Sequence, residues 1–374
     1  MMKFVFWFSA SVIAYCYLGY LIYLWIRSHL SPRPVRRGTN EPAVSVLMVV
    51  RNEEQVIASK LKNVLTLAYP PEKLEVVVVS DGSDDRTPAI LSGFAQDSRV
   101  RTILKAVSSG KACGLNDAIG SARGEVLLFT DARQQIESGA LRYLIENFAD
   151  ATVGAASGEL MLGDPANGET GKGMGLYWQI EKKVRELESA SGSVPGATGA
   201  IYCARKALLE PLPDGTILDD VLLPMQVIRK GFRIVFDSRA RAWDLPDLGR
   251  SREFTRKVRT LSGNYQLVQL APWLLSAENK IRFEFVSHKL LRLVAPFALI
   301  GLLVGSLFLH GPIYRAALIA QLAFYALSLA AIGGLRIGPL SRLADVARTF
   351  VVLNSAAMIA FVNFITGRKA IWAR

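Results

Sequence analysis

Apolar and polar residues alternate in blocks along the middle of the chain, and this pattern predicts parallel strands joined by crossover helices. The run of valines at 76–79 is typical of a strand that is buried on both faces. Asn52 is expected to cap the first helix. The expected strands are 45–50, 76–80, 100–104 and 125–130, and the expected helices are 53–67, 84–95, 110–122 and 138–148.

The pattern becomes irregular after an apolar stretch at 153–160. Residues 163–175 are rich in Gly, Asp and Asn and are expected to form a mobile loop, followed by a polar helix over 176–189. Residues 250–275 interleave Arg and Lys with aromatic and aliphatic residues. This segment is expected to lie in a membrane surface as a basic amphipathic helix, although a solvated helix remains the alternative.

Four longer apolar runs, at 4–26, 290–309, 316–335 and 346–365, could cross a bilayer. The first is expected to be a retained anchor, because it is too long for a signal peptide and no small-residue cleavage site follows it. The last contains Arg348 and Asn354 and could instead be interfacial.

Charge around the first run indicates its orientation. Only Lys3 precedes this run, whereas Arg27, His29, Arg33, Arg36 and Arg37 follow it. The positive-inside rule therefore predicts a cytoplasmic middle region. Three later spans would leave the basic end of the chain (Arg368, Lys369 and Arg374) outside, so the number of spans stays open at this stage.

Composition narrows the possible partners. The net charge of +12 suits a protein that lies on an anionic membrane leaflet. No nucleic-acid-binding motif accompanies this charge, so nucleic acid is not an expected partner. The three cysteines are scattered and match no metal-ligand spacing, which is typical of small buried side chains in a reducing compartment.

Acidic residues follow several of the apolar runs. Asp81 ends the valine strand, Asp131 follows the strand at 125–130, and Asp219 and Asp220 follow a further apolar residue pair. Each alone would be an ordinary turn or helix-capping residue. Because ligands of open α/β sheets bind at the carboxyl ends of strands, the set together with Lys111 predicts a site for a phosphate-bearing ligand.

Three segments carry a resemblance to a known family. Residues 50–87 resemble a nucleotide-binding unit, residues 108–133 resemble a GKAxALN segment that leads into a DxD motif, and residues 196–237 resemble an acceptor-side segment with a Glu-Asp base motif. Residues 44–266 thus resemble the membrane-bound family 2 glycosyltransferases, the group with cellulose, chitin and hyaluronan synthases.

The resemblance implies an α/β fold of the GT-A type, a Rossmann-like and mostly parallel sheet with N- and C-terminal transmembrane helices. The expected division is an anchor at 1–27, a basic linker at 28–43, a GT-A domain at 44–248, an interfacial segment at 249–286 and two or three spans within 287–374.

The resemblance also implies roles for individual residues. Asp220 would be the general base of an inverting hexosyl transfer. Gly199 and Asp219 would lie on the acceptor side. The expected donor-binding residues are Asn52, Glu53, Asp81, Lys111, Asp131, Arg133 and Arg259.

The DxD motif is incomplete, because it reads Asp131-Ala132-Arg133. The family implies a divalent cation, Mg²⁺ or Mn²⁺, with Asp131 as its ligand. We hypothesise that Arg133 binds the donor diphosphate directly and weakens the dependence on metal. The alternative is that Arg133 faces solvent and Asp131 holds the metal with other help.

The QxxRW motif of processive relatives is also incomplete. Arg259 matches its Arg, but Arg256 and Thr260 replace its Gln and Trp. Loss of the aromatic platform favours transfer of one or a few sugars to a lipid-linked or growing polysaccharide acceptor. A processive synthase and an inactive partner subunit remain alternatives.

The expected partners are a nucleotide sugar, most simply a UDP-sugar, a glycan or lipid-linked acceptor, and membrane lipids. The expected location is a bacterial inner membrane with the catalytic domain in the cytoplasm.

Overall fold

Eight strands form one mixed sheet in the order β3-β2-β1-β4-β7-β6-β8-β5. The computed structural model describes residues 1–163, 176–244, 250–335 and 338–367. The strands are β1 (Val44–Val50), β2 (Leu74–Asp81), β3 (Val100–Lys105), β4 (Val126–Phe129), β5 (Gln135–Ile136), β6 (Val153–Leu162), β7 (Tyr202–Arg205) and β8 (Arg233–Asp244).

The first half of the sheet is parallel, as the alternating sequence pattern predicts. β1 pairs in parallel with β2 and with β4, and β2 pairs in parallel with β3. Every residue of β1 is buried, because helices cover both faces of a parallel sheet and its strands need apolar residues on both sides. The carboxyl ends of β2 and β4 therefore lie at the same edge of the sheet, with β1 between the strands that lead to Asp81 and Asp131.

The second half of the sheet is mixed. β7 runs antiparallel to both β4 and β6, β6 is parallel to β8, and β5 is antiparallel to β8. This arrangement gives a GT-A-like α/β fold and places the residues before β7 next to the end of β4.

The helices follow the predicted order with shifted ends. Within the described residues they are α1 (Met2–Leu30), α2 (Ile57–Leu65), α3 (Thr87–Phe94), α4 (Lys111–Ser121), α5 (Ala140–Glu146), α6 (Leu176–Ser191), α7 (Asp219–Arg229), α8 (Arg250–Leu270), α9 (Arg282–Phe308), α10 (Pro312–Ile332) and α11 (Ser341–Ile365). α1 and α9 each contain one π-helical turn. Short 3-10 helices occupy 71–73, 147–149, 206–208, 272–275 and 338–340.

The prediction that Asn52 caps the helix expected over 53–67 is wrong. α2 begins at Ile57 after Val56, and Asn52 has a left-handed backbone with φ of 55°. Its side-chain oxygen instead accepts a hydrogen bond from the Asp84 N–H (3.0 Å). The polar segment before α2 is hydrogen-bonded to the loop after β2, and these bonds take the place of the predicted first turn of the helix.

Four helices, α1, α9, α10 and α11, are long and apolar enough to cross a membrane. Their bounds contain most of the four apolar runs seen in the sequence. α8 ends at Leu270, five residues before the predicted end. It packs against α11, where the rings of Tyr265 and Phe364 stack at 5.0 Å. The predicted loop at 163–175 falls almost wholly outside the described residues.

A buried polar network joins the sheet domain to the apolar helices. Glu188 of α6 accepts hydrogen bonds from the Tyr20 hydroxyl of α1 (2.6 Å) and pairs with His288 of α9 (2.8 Å). Glu181 of α6 pairs with Arg292 of α9 (2.8 Å). Because a charge buried without a partner is costly, these contacts specify how the sheet domain is seated on the helices.

Candidate active site

Lys111 lies at the centre of a cluster of carboxylates. Its Nζ is 3.0 Å from Asp131 Oδ1 and 3.2 Å from Asp219 Oδ2. Lys111 is the first residue of α4, Asp131 follows β4, and Asp219 begins α7. The parallel half of the sheet thus brings two predicted site residues together, and the antiparallel β7 region brings the third.

The charges in this cluster depend on one another. Burial disfavours a charged Lys111, but Asp131, Asp219 and Asp220 outweigh it and raise the pKa of Lys111 above its usual value. Burial raises the pKa of Asp219 to about 6, despite the opposing effect of Lys111, and the neighbouring carboxylates add to the increase. The site therefore holds a positive charge next to a carboxyl group whose pKa is raised by its burial.

Gly199 lies next to two of the carboxylates. Its N–H donates to Asp220 Oδ2 at 3.1 Å. A Cβ built on Gly199 would lie 3.4 Å from Asp131 Oδ2 and 3.5 Å from Asp220 Oδ2. The absence of a side chain here leaves open space between the end of β4 and the start of α7.

The predicted donor residue Asp81 is buried and fully engaged with one loop. Its Oδ1 accepts from the Ser109 N–H (2.8 Å), and its Oδ2 accepts from the Gly110 N–H (2.9 Å) and the Ser108 hydroxyl (2.7 Å). Although burial opposes ionisation, these hydrogen bonds hold the pKa of Asp81 below its usual value. Asp81 therefore shapes the loop that leads into Lys111.

The other predicted donor residues lie around the same edge. The Glu53 N–H donates to Thr87 Oγ1 (2.9 Å). Burial raises the pKa of the Glu53 carboxyl group, while Arg133 opposes the increase and Asp131 adds to it. Glu53 and Arg133 therefore interact electrostatically with one another beside Asp131. Arg133 is exposed.

A cavity of about 180 Å³ adjoins Asp220. Asp220 and Thr198 line it from the sheet domain, and Thr260 lines it from α8. Arg259, the predicted diphosphate contact, precedes Thr260 and is half-buried. The structure thus brings α8 to the site, while the direction of Arg259 toward a donor stays a prediction.

Comparison with known proteins identifies the domain. Residues 45–212 match the family model described as glycosyl transferase family 2. The chain carries a family 2 glycosyltransferase domain. Among solved structures, the mannosyltransferase PcManGT from Pyrobaculum calidifontis, in complex with GDP-Man and Mn²⁺, matches with a TM-score of 0.73 over 98% of this chain and 100% of that chain. Sequence identity is 22%, so this likeness establishes the GT-A fold.

Curated relatives of the glycosyltransferase domain come from several bacteria. The chain is 28% identical over 61% of its length to the probable glycosyltransferase YdaM of Bacillus subtilis, and 28% identical over 50% to the beta-monoglucosyldiacylglycerol synthase of Nostoc sp.. It is 25% identical over 62% to the poly-beta-1,6-N-acetyl-D-glucosamine synthase of Staphylococcus epidermidis. These alignments cover 56%, 41% and 56% of the relatives, so the chain spans about half the length of the curated relatives it matches.

The glycosyltransferase domain offers few side-chain ligands for a divalent cation. Within the described ranges, no three His, Cys, Asp or Glu side chains converge on one metal position. Asp131 is 43% exposed and its Oδ2 faces the space at Gly199. Mg²⁺ is commonly held by one or two carboxylates together with substrate phosphates, so Asp131 fits a cation that a donor diphosphate would also bind.

Sequence reasoning missed Lys60, which supports the loop carrying Asp131. Its Nζ is fully buried and donates to Thr130 Oγ1 (2.8 Å) and the Gln134 carbonyl (2.5 Å). Burial lowers the pKa of Lys60 to about 7, with Asp131 opposing the decrease. The signal was present in the sequence, because Lys60 falls on the buried face of α2 at helical spacing with Ile57, Leu61 and Val64.

Proposed function

We propose that this protein is an inverting glycosyltransferase that moves a sugar from a nucleotide-sugar donor to a membrane-associated acceptor. The observation that carries the proposal is that Asp131 and Asp220 both approach the space left by the missing side chain of Gly199. One carboxylate stands with Lys111 where a diphosphate would lie. The other lines a cavity in which an acceptor would fit.

The chemistry needs these two positions. As the bond from the anomeric carbon to the diphosphate breaks, negative charge grows on the leaving group and must meet a cation. Lys111 supplies a fixed positive charge, and we propose that Arg133 and Arg259 add to it through their guanidinium groups. A divalent cation held by Asp131 would supply further positive charge there, and direct help from Arg133 would lessen the dependence on it.

We assign the general base to Asp220. An acceptor hydroxyl is a weak nucleophile, so a carboxylate within hydrogen-bond reach must take its proton as the new bond forms. The N–H of Gly199 holds Asp220 Oδ2 (3.1 Å), and this orients the other oxygen. Attack from the face opposite the leaving diphosphate inverts the anomeric carbon. Asp219 would support Asp220 by keeping Lys111 in place.

We further propose that Asn52, Glu53 and Asp81 form the wall for the donor nucleoside, with Asp81 acting through the 108–110 loop. The nucleotide stays open between UDP, the sequence-based expectation, and GDP, which the structural neighbour binds. Four candidate membrane helices and a basic flank support an inner-membrane enzyme whose catalytic domain faces the cytoplasm.

A processive synthase is the second candidate. The relative from Staphylococcus epidermidis is named as a poly-beta-1,6-N-acetyl-D-glucosamine synthase, which favours it. Thr260 at the position of the family's channel Trp opposes it, because a threonine offers no stacking surface for a sugar. The altered DxD motif also admits an inactive partner subunit, against which the intact Asp131, Lys111 and Asp220 cluster argues.

One experiment separates these functions. Purified full-length protein in lipid would be incubated with UDP-, GDP- and dTDP-sugars, with and without membrane extract, while nucleotide release and product size are followed. We expect release that depends on extract, with a short lipid-soluble product. A long polymer would indicate the synthase, and no turnover with any donor would overturn the proposed activity.

A further inference from the structure

The cavity beside Asp220 has a second, basic end. Its walls come from the catalytic domain, from α6 and α8, and from the start of α9, which is long and apolar enough to enter a membrane. Lys182 and Arg185 of α6 and Lys289 of α9 line this end. The cavity therefore runs from the proposed base toward the helices that would lie at the membrane.

The two glutamates of the cavity are already paired with basic side chains. Glu159 is paired with Lys182 (2.8 Å). Glu181 has Arg292 at 2.8 Å and His288 at 2.9 Å as its near partners, and Arg185 lies further off at 3.5 Å. Lys182 is thus neutralised by Glu159. Glu181 carries one negative charge but lies near two arginines, so a positive charge remains at this end of the cavity.

Within the described ranges, Lys289 has no carboxylate within ion-pair distance, although Glu181, Asp220 and Glu188 attract it from further away and Arg185 repels it. Among the residues that the structure describes, none forms a hydrogen bond or ion pair with it. It is half-buried and lines the same cavity as Asp220. Since a half-buried ammonium without a partner is costly, the pair of Lys289 and Arg185 is suited to an anion that arrives with a substrate.

We infer that this basic end binds a phosphate group of the acceptor, so that the acceptor is an anionic lipid carrying both a phosphate and a hydroxyl. The inference rests on the proposed function. The acceptor hydroxyl would lie at Asp220, which takes its proton as the bond from oxygen to the anomeric carbon forms and the bond to the nucleotide diphosphate breaks. The phosphate would lie on Lys289 and Arg185, and Trp178 on the same wall (38% exposed) would contact the apolar part.

The test compares anionic and neutral acceptors that share a hydroxyl-bearing group. In neutral phosphatidylcholine vesicles, the anionic probes are phosphatidylglycerol and an isoprenoid diphosphate-linked monosaccharide. The neutral probes are diacylglycerol and an alkyl glycoside, and glycerol phosphate is the soluble anion. We expect transfer to at least one anionic lipid at a kcat/KM at least about tenfold above its neutral counterpart.

The variants locate the phosphate site. Lys289→Gln should raise the KM for the anionic lipid by about tenfold or more, through loss of a charge-assisted hydrogen bond, while the donor KM and the slow donor hydrolysis without acceptor stay unchanged. Lys289→Arg should restore much of the loss. Lys280→Gln, an exposed lysine before α9, is the matched control and should behave as wild type.

Each other outcome overturns the inference. Equal or better use of the neutral lipids, preference for soluble glycerol phosphate, or an unchanged KM in Lys289→Gln would remove the lipid phosphate site. Donor hydrolysis without transfer to any of these lipids would contradict this inference alone. Absence of both hydrolysis and transfer with membrane extract would instead overturn the proposed function.

Discussion

At the scale of single residues, Gly199 tests whether the space between Asp131 and Asp220 is where the sugar reacts. Gly199→Ala would place a methyl group 3.4 Å and 3.5 Å from the two Oδ2 atoms, at ordinary contact distance. The protein should fold normally, but the methyl group would displace the bound sugar from its position next to the two carboxylates. We expect transfer to fall by about a hundredfold, the cost of a displacement near 1 Å.

Gly120→Ala is the control for this substitution. A Cβ on Gly120 of α4 meets no atom within 4 Å, so the turnover of this variant should match that of wild type and its thermal midpoint should be equal or slightly higher. Wild-type turnover in Gly199→Ala, with its thermal midpoint also unchanged, would show that the sugar does not occupy this space.

The charged residues next to Gly199 could be predicted from the sequence because they follow the ends of strands. Asp131 and Lys111 stand in short motifs, and their proximity follows from the parallel order of the strands. The 3.2 Å contact between Lys111 and Asp219 could not be predicted, because it depends on the antiparallel β7 that the irregular sequence pattern after residue 160 did not reveal.

At the scale of elements, α2 was predicted four residues too early for a physical reason. The residues before Ile57 satisfy their backbone groups through the loop after β2: the Glu54 N–H donates to Asp85 Oδ2 (3.1 Å), and the Arg86 N–H donates to Glu54 Oε2 (3.0 Å). Local sequence favours a helix from Glu53, but these non-local hydrogen bonds replace its first turn.

The buried Lys60 of α2 makes the stability of the folded protein depend on pH. The pKa of Lys60 is about 7 in the folded protein, against an ordinary value of 10.5. Between these pH values the unfolded chain binds a proton that the folded chain does not, so stability rises with pH. Relative to Lys60→Met, wild type should gain up to about 1.4 kcal/mol per pH unit from pH 7 to 10.

Thermal midpoints in detergent between pH 6 and 9.5 measure this difference. Lys62→Met, an exposed lysine of the same helix, is the control, and its stability difference from wild type should stay constant with pH. A constant difference for Lys60→Met as well would mean that Lys60 remains charged inside the fold.

At the scale of the whole molecule, the four apolar helices and the catalytic domain meet at a polar boundary. Arg27 of α1 forms an ion pair with Glu284 of α9, next to the pairs that α6 makes with α9. The lengths of the apolar helices could be read from the sequence because a bilayer demands about 20 apolar residues. The cavity at this boundary could not, since it is formed by side chains from segments more than 100 residues apart.

The central claim is that Asp220 acts on the acceptor while Lys111 and Asp131 hold the donor. Its most direct test is Asp220→Asn, measured for donor binding by calorimetry and for sugar transfer in lipid, with Asp214→Asn, an exposed carboxylate, as control. We predict that transfer falls by about 10²–10⁴-fold while donor affinity stays nearly unchanged. Transfer close to the wild-type rate, or loss of donor binding, would contradict the assignment of Asp220 as the base.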